Sequence, residues 1–267
     1  MSGSETVEIN ARAWATGDYL GDYANRRLLP VEATLLIRHR HALSGRTLEI
    51  GCGAGRILGY LLEFGGEVHG IDLSPSMVEY CRRRYPRAHL RVGDLRDLSA
   101  STEGLYDAVI AADNVIDVLD DAGRRRALEQ ARDVLAPDGL LVFSSHNLGY
   151  IEAGGGARSR RIGGLLAKAL ARPPAEVAGK VARLPRSVRN RRRLAPMQTR
   201  APDHAILNDE AHDYGLLHYY IRRDDQERQL AELGYELLEC LDADGRDVGA
   251  GQSGVGPWLH YVARAQR

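Results

Sequence analysis

Residues 47–55 read Thr47-Leu48-Glu49-Ile50-Gly51-Cys52-Gly53-Ala54-Gly55. A short apolar strand carries an acid into three alternate glycines, and a helix-like run, Arg56-Ile57-Leu58-Gly59-Tyr60-Leu61-Leu62, follows at once. Glycine has no Cβ, so this spacing lets a backbone turn sharply and come close to a ligand. The dinucleotide fingerprint G-x-G-x-x-G seats a pyrophosphate on a helix N-terminus. Here the third glycine arrives one residue early, at Gly55, and Arg56 takes the fingerprint's last position. Glu49, just before the turn, would repel a pyrophosphate and attract an ammonium or sulfonium.

Outward from this turn, strands alternate with helices. Glu67–Asp72 reads as a second strand, with Ser74 and Pro75 as N-cap and first residue of the helix through Met77, Val78 and Cys81. His89–Asp94 is a third strand. Tyr106–Asp113 is a fourth, almost continuously apolar as a strand buried on both faces should be. A helix over Gly123–Leu135 leads through the turn Pro137-Asp138-Gly139 to a fifth strand, Leu140–Ser145. A helix over Arg223–Leu233 and strands Glu236–Asp242 and Trp258–Ala263 close the chain. This alternation predicts a parallel sheet with helices on both faces. Before it, Asn10 to Leu43 reads as helices, one with an apolar face of Ala13, Tyr19, Leu20 and Tyr23 and one starting at Pro30. Between Leu148 and about His204 the pattern predicts no strand, only helices over Ile162–Ala171 and Ala175–Leu184 and a basic knot at Val188–Arg193.

Four pieces, taken in order, resemble the class I S-adenosylmethionine-dependent methyltransferases. They are Glu49-x-Gly51-x-Gly53-x-Gly55, Gly70-Ile71-Asp72-Leu73-Ser74, Gly93-Asp94-Leu95, and Leu135-x-Pro137-x-Gly139-Leu140. The resemblance covers residues 47–147 and implies an α/β fold, doubly wound, with a mostly parallel seven-stranded sheet whose last two strands form an antiparallel hairpin. It implies S-adenosyl-L-methionine as methyl donor, S-adenosyl-L-homocysteine as product, and an enzyme. The implied cofactor set is Glu49, Gly51, Gly53, Gly55, Asp72, Leu73, Met77, Asp94, Leu95 and Asp113. In it Glu49 lies near the amino group, Asp72 receives the ribose hydroxyls and Asp94 the adenine amine, while Leu95 packs on the ring. Asp72 suits its part because a carboxylate accepts two hydrogen bonds and donates none.

A sulfonium is an activated donor, so alignment of the nucleophile is the main demand on the protein. A hydroxyl acceptor also needs a base. His146 follows the fifth strand on the ligand side and is the first candidate, followed by His218 and then His260. Asn114, beside Asp113 after the fourth strand, faces the same region. Each also has a structural alternative, as a core histidine or a turn cap. No full set of metal ligands is evident, so no metal is expected.

The 267 residues carry 36 basic and 36 acidic side chains, a formal net charge of zero. The balance is uneven: residues 157–200 hold thirteen lysines and arginines against one acid, Glu176. Such a run is commonly a solvated arm; otherwise it suits a lid over an anionic substrate, or RNA. It has no interleaved aromatic to stack bases, which ranks a small anionic or glycosylated acceptor above nucleic acid. A 44% hydrophobic content supports a packed core, and no apolar run reaches the roughly 18 residues of a membrane span. Three cysteines without a C-x-x-C, and no leader-like N-terminus, predict reduced thiols and a cytoplasmic protein. The expected organisation is a helical cap (1–45), a cofactor domain (46–147 and 205–267) and a basic insertion (148–204). The function expected is O- or N-methylation of a small molecule. RNA methylation, or cofactor binding without turnover, is the alternative, and an NAD-linked reductase ranks last.

Overall fold

The computed structural model describes residues 4–16, 20–155 and 174–266. Four helices come first: α1 (Ser4–Thr16), α2 (Leu20–Ala24), α3 (Pro30–Arg38) and α4 (Arg40–Leu43). Pro30 stands at the start of α3, where its missing N–H costs no hydrogen bond. The alternation then runs β1 (Arg46–Ile50), α5 (Leu58–Glu63), β2 (Glu67–Asp72), α6 (Pro75–Arg84), β3 (His89–Val92), α7 (Leu98–Ser101), β4 (Tyr106–Ala111), α8 (Asp121–Asp133) and β5 (Leu135–Asn147). After β5 come α9 (Leu148–Glu152), α10 (Pro174–Leu194) and three short strands, β6 (Thr199–Arg200), β7 (His204–Leu207) and β8 (His218–Ile221). Helix α11 (Arg223–Glu232) and strands β9 (Tyr235–Leu241) and β10 (Trp258–Ala265) complete the chain.

Seven strands lie in the order β3-β2-β1-β4-β5-β10-β9. The first five are mutually parallel, and β10 runs antiparallel to both β5 and β9. This is the doubly wound sheet with a terminal hairpin that the sequence predicts. The chain reverses its direction of travel between β1 and β4, so a ligand site is expected beyond the carboxyl ends of those strands. Side chains alternate between two apolar layers. Val109, Leu141 and Tyr261 pack on one face with Leu128 of α8 and Leu230 of α11. Ile110, Val142 and Val262 pack on the other with Leu35, Leu61 and Val78 of α3, α5 and α6.

Three further strands extend the sheet. β4 ends level with Phe143, but β5 continues, and its His146 and Asn147 pair in parallel with Tyr220 and Ile221 of β8. β8 pairs antiparallel with β7, and β7 with β6. The sequence reading stops β5 at Ser145 and assigns no strand to 218–221. All four residues of β8 are buried, and so short a run carries no two-residue alternation to reveal it. The expected turn Pro137-Asp138-Gly139 is instead a bulge within β5, where the register with β4 shifts and Asp138 takes φ 61°. Helix α10 absorbs both the expected helix Ala175–Leu184 and the basic knot. The expected helix Ile162–Ala171, Tyr19 and the side chain of Ala13 lie outside the described residues. Among the described residues, no helix is long and apolar enough to cross a membrane. Cys52, Cys81 and Cys240 are buried and unpaired.

Candidate active site

The carboxyl ends of β1 to β5 open on a cavity of about 540 Å³, closed from above by α1, α2 and the segment before β8. Gly51 and Gly53 bring the loop after β1 into it, both in the left-handed region at φ 67° and 51°. The amides of Gly51 and Cys52 both donate to the Ile71 carbonyl, at 2.7 and 3.0 Å, which ties the loop to β2. A Cβ on Gly53 would meet nothing within 4 Å, so this residue offers bare backbone to the cavity. Gly55 differs from the sequence expectation. It does not line the cavity, and a Cβ there would collide with the Tyr85 ring beyond α6. Its place is in loop-to-helix packing, not beside a ligand.

The acids of this half of the cavity are distinct in their surroundings. Glu49 is 3% exposed and its Oε2 has no hydrogen-bond partner. Burial pushes its pKa well above the usual carboxylate range, with Arg56 opposing. An unsatisfied buried acceptor costs about 1–3 kcal/mol, and a cation in the cavity would offset that cost. Asp72 accepts from Gly53 N through Oδ2 and from Ser74 N through Oδ1, both at 2.8 Å, and each oxygen keeps lone-pair capacity. Asp94 is gripped by Arg96, with Nη2 to Oδ2 at 2.5 Å and Nε to Oδ1 at 3.0 Å, and this holds its pKa down. Leu73, Met77 and Leu95 also line the cavity, Met77 with its amide directed to the Ser74 cap.

The other half gathers the candidates for catalysis. Asp113 and Asn114 follow β4 in left-handed backbone, each at φ 57°, which is uncommon for residues with a side chain. Asp113 pairs with Arg26 at 2.5 Å. The Asn114 amide donates to Ser144 Oγ at 2.9 Å, and its Nδ2 lies 3.4 Å from His146 Nε2. His146 is held by Asp117, whose Oδ2 accepts from the histidine's backbone N at 2.6 Å and meets its Nδ1 at 2.9 Å. A carboxylate only accepts, so Nδ1 carries the proton and the Nε2 lone pair faces Asn114 and the cavity. Asp117 is fully buried and bonded in turn to Ser145 Oγ and to Arg124 Nε at 3.1 Å. Arg124 is itself buried between Gln226, Gln229 and the face of Tyr219.

His218 forms a second imidazole–carboxylate pair, Nδ1 lying 2.8 Å from Asp209 Oδ2, and its ring stacks on that of His146 at 4.8 Å. Burial would lower the His218 pKa, but the Asp209 charge and hydrogen bond raise it above the ordinary value. Burial likewise opposes the fall in the Asp209 pKa, which the His218 charge brings about. Ligand-type atoms of His146, Asp209 and His218 all lie within 4.8 Å of one another, yet Asp209 Oδ2 already accepts from Tyr220 and pairs with His218. His260 stands apart: its ring nitrogens have no partner, burial lowers its pKa to about 4, and it does not line the cavity.

The sequence reading brings Glu49, Gly51, Gly53, Asp72, Leu73, Met77, Asp94, Leu95, Asp113, Asn114, His146 and His218 to one cavity. It missed Asp117, Arg124, Asp209 and the aromatic wall of Trp14, Tyr23 and His212. Asp117 is one of four aspartates between 113 and 121, a density that could have drawn notice. Asp209 carries no local signal. No described residue of α10 lines the cavity.

Residues 47–139 match the profile of a methyltransferase domain. The chain is 33% identical over 128 residues to the dTDP-3-amino-3,6-dideoxy-alpha-D-glucopyranose N,N-dimethyltransferase of Streptomyces fradiae, across 45% of this chain and 49% of that protein. It is 33% identical over 113 residues to the ubiquinone biosynthesis O-methyltransferase of Xanthomonas campestris pv. campestris, across 40% and 46%. The chain thus spans about half the length of the curated relatives it matches. Burkholderia thailandensis 1,6-didemethyltoxoflavin-N1-methyltransferase, solved with 1,6-didemethyltoxoflavin and S-adenosylhomocysteine bound, superposes with a TM-score of 0.61 at 13% identity, over 100% of this chain and 92% of that one. Over residues 47–139 the chain thus matches a methyltransferase domain, and its fold is that of the class I S-adenosylmethionine-dependent methyltransferases.

Proposed function

We propose that this chain transfers a methyl group from S-adenosyl-L-methionine to a small-molecule acceptor, at oxygen ahead of nitrogen. The observation that carries the choice is His146, with Nδ1 held by Asp117 and Nε2 turned to the cavity's edge beside Asn114 Nδ2 and 4.0 Å from Asp209 Oδ2. That tautomer accepts a proton from a nucleophile, which a hydroxyl acceptor requires. The residues present fit the cofactor. Glu49 has a buried, unpartnered oxygen for an ammonium, and Asp72 keeps acceptor capacity for ribose hydroxyls. Gly51 and Gly53 give close backbone approach, while Leu73, Met77, Asp94 and Leu95 border the place for the adenine. The sulfonium supplies an activated methyl group. Asp113 and Asn114 line the passage between the halves, and Asn114 Nδ2 lies at the base's Nε2. The unpaired cysteines suit a reducing, cytoplasmic setting. RNA methylation is less favoured, because two of the helix arginines face the 212–214 turn: Arg191 lies over Tyr214 and Arg186 is 4.0 Å from Asp213.

Calorimetric titration with S-adenosylhomocysteine and a methyl-transfer assay over phosphorylated, glycosylated and phenolic metabolites test this reading. Asp72→Ala should weaken cofactor-product binding more than about tenfold, the scale of hydrogen bonds to a charged group. Unchanged affinity would sink the cofactor assignment. His146→Ala should keep that affinity and slow methyl transfer to hydroxyls about 100-fold or more. Wild-type turnover would remove the base.

A further inference from the structure

The acceptor half of the cavity has an aromatic wall. Trp14 of α1 stands edge-on to Tyr23 of α2 and to His212, with ring centroids 5.6 and 5.0 Å away. Tyr23 and His212 are parallel to within 5° at 6.3 Å. Across the cavity Trp258 meets the His146 ring edge-on at 6.2 Å. Aromatic faces of this kind reward a flat ring by about 0.5–1.5 kcal/mol per pair beyond burial.

The wall is sustained against a backbone cost. His212, Asp213 and Tyr214 are three consecutive left-handed residues, at φ 51°, 57° and 59°, and none is glycine. Each such residue costs about 1–2 kcal/mol and persists only where its surroundings over-determine it. Here Asn190 Nδ2 donates to the Asp213 carbonyl and Asn208 Nδ2 to the Tyr214 carbonyl, both at 3.0 Å, while Arg191 lies over the Tyr214 ring. The basic helix α10 therefore acts on the cavity indirectly, by clamping the turn that presents His212.

Among the described residues, the three arginines that line the cavity each face a carboxylate: Arg26 with Asp113, Arg56 with Glu32, Arg96 with Asp94. A phenol-like hydroxyl gives up its proton far more readily than a water-like one, so an aromatic hydroxyl suits a base placed as His146 is. His218 stacks on His146 at 4.8 Å and is itself held by Asp209, so a second imidazole borders the same part of the cavity.

On the reading that this cavity is a methyl-transfer site, we infer that its acceptor is a flat aromatic hydroxyl compound, the ring against Trp14, Tyr23 and His212 and the hydroxyl at Nε2 of His146. The hydroxyl oxygen bonds to the methyl carbon as the sulfur–methyl bond breaks, its electron pair returning to sulfur, and the hydroxyl proton passes to Nε2. Products are the aryl methyl ether and S-adenosylhomocysteine.

The test compares 2-naphthol with decahydro-2-naphthol, which keeps the size and hydroxyl but loses the flat ring. Calorimetry on the full chain, with and without S-adenosylhomocysteine, should show 2-naphthol binding about tenfold more tightly, the equivalent of one or two aromatic contacts. Trp14→Leu should abolish that preference, and His212→Leu should reduce it. Mass spectrometry should detect 2-methoxynaphthalene after incubation with the methyl donor. Equal affinity for the two compounds, or saturable binding of neither, overturns the aromatic acceptor. Methylation of the saturated alcohol alone overturns it too, while leaving methyl transfer intact. Failure of S-adenosylhomocysteine to bind removes the methyl-transfer reading instead, and the ring preference measured without it still reports on the wall.

Discussion

The two halves of the cavity are built in different ways. The cofactor half comes from three strand-to-helix turns, each contiguous in sequence: 49–53, 72–77 and 93–96. Its acids are placed by bonds across at most about twenty residues, such as Gly53 N to Asp72. The acceptor half is assembled from α1, α2, β5, the 211–214 turn and β8, with bonds that span 98 residues from Tyr219 to Asp121 or 105 from Arg124 to Gln229. A donor site made of local turns can recur across a family. An acceptor site made of distant segments can change with any of them.

The largest break in that comparison should come at Arg124. It is a fully buried cation whose loss takes away the arginine partner of Asp117 and the donor to Gln226 and Gln229. Arg124→Met should lower unfolding stability by about 3–5 kcal/mol, read by urea denaturation. At temperatures where the variant stays folded, its S-adenosylhomocysteine affinity should match wild type, and a parallel loss would show that the halves are not independent. Gly55→Ala comes next. It forces a Cβ into the Tyr85 ring at φ 78°, and should cost about 1–3 kcal/mol. Its effect on cofactor affinity at full folding should be small; a large effect would return Gly55 to the cofactor set.

The mildest effect concerns pH. The raised His218 pKa means its contribution to stability is complete below about 6.5 and is lost as pH rises through the folded value. The depressed Asp209 pKa gives a contribution present above about 3.9 that is lost on acidification. Their pair therefore stabilises most between those limits. His218→Gln should flatten the alkaline limb of a melting-temperature profile, and an unaltered limb would show that this histidine is not charged in the fold.

The alternation of strands and helices was legible because apolar periodicity and glycine placement are local signals, and the closing hairpin came with the family resemblance. Glu49, Asp72 and Asp94 were legible for the same reason, each sitting at a fixed distance from its turn. Gly55 packs against Tyr85 and does not line the cavity; a glycine that admits a ligand and one that admits a tyrosine ring look alike in sequence. β8 was missed because four buried residues have no period. His146 could be singled out at a strand end, but its tautomer could not, since Asp117 is 29 residues away and is brought to it by the extension of β5.

By itself, then, the sequence determined the alternation of strands and helices, the glycine turn after β1, and the acids beside it, all of which depend on short-range geometry. Only the tertiary structure decided which histidine is held by a buried aspartate, that the arginines among the described lining residues face carboxylates, and that Trp14, Tyr23 and His212 form one wall. Those outcomes depend on packing between segments up to two hundred residues apart, such as the bonds between Asn10 and Leu217 that fix α1 over the cavity. Such contacts leave no periodic trace in the chain.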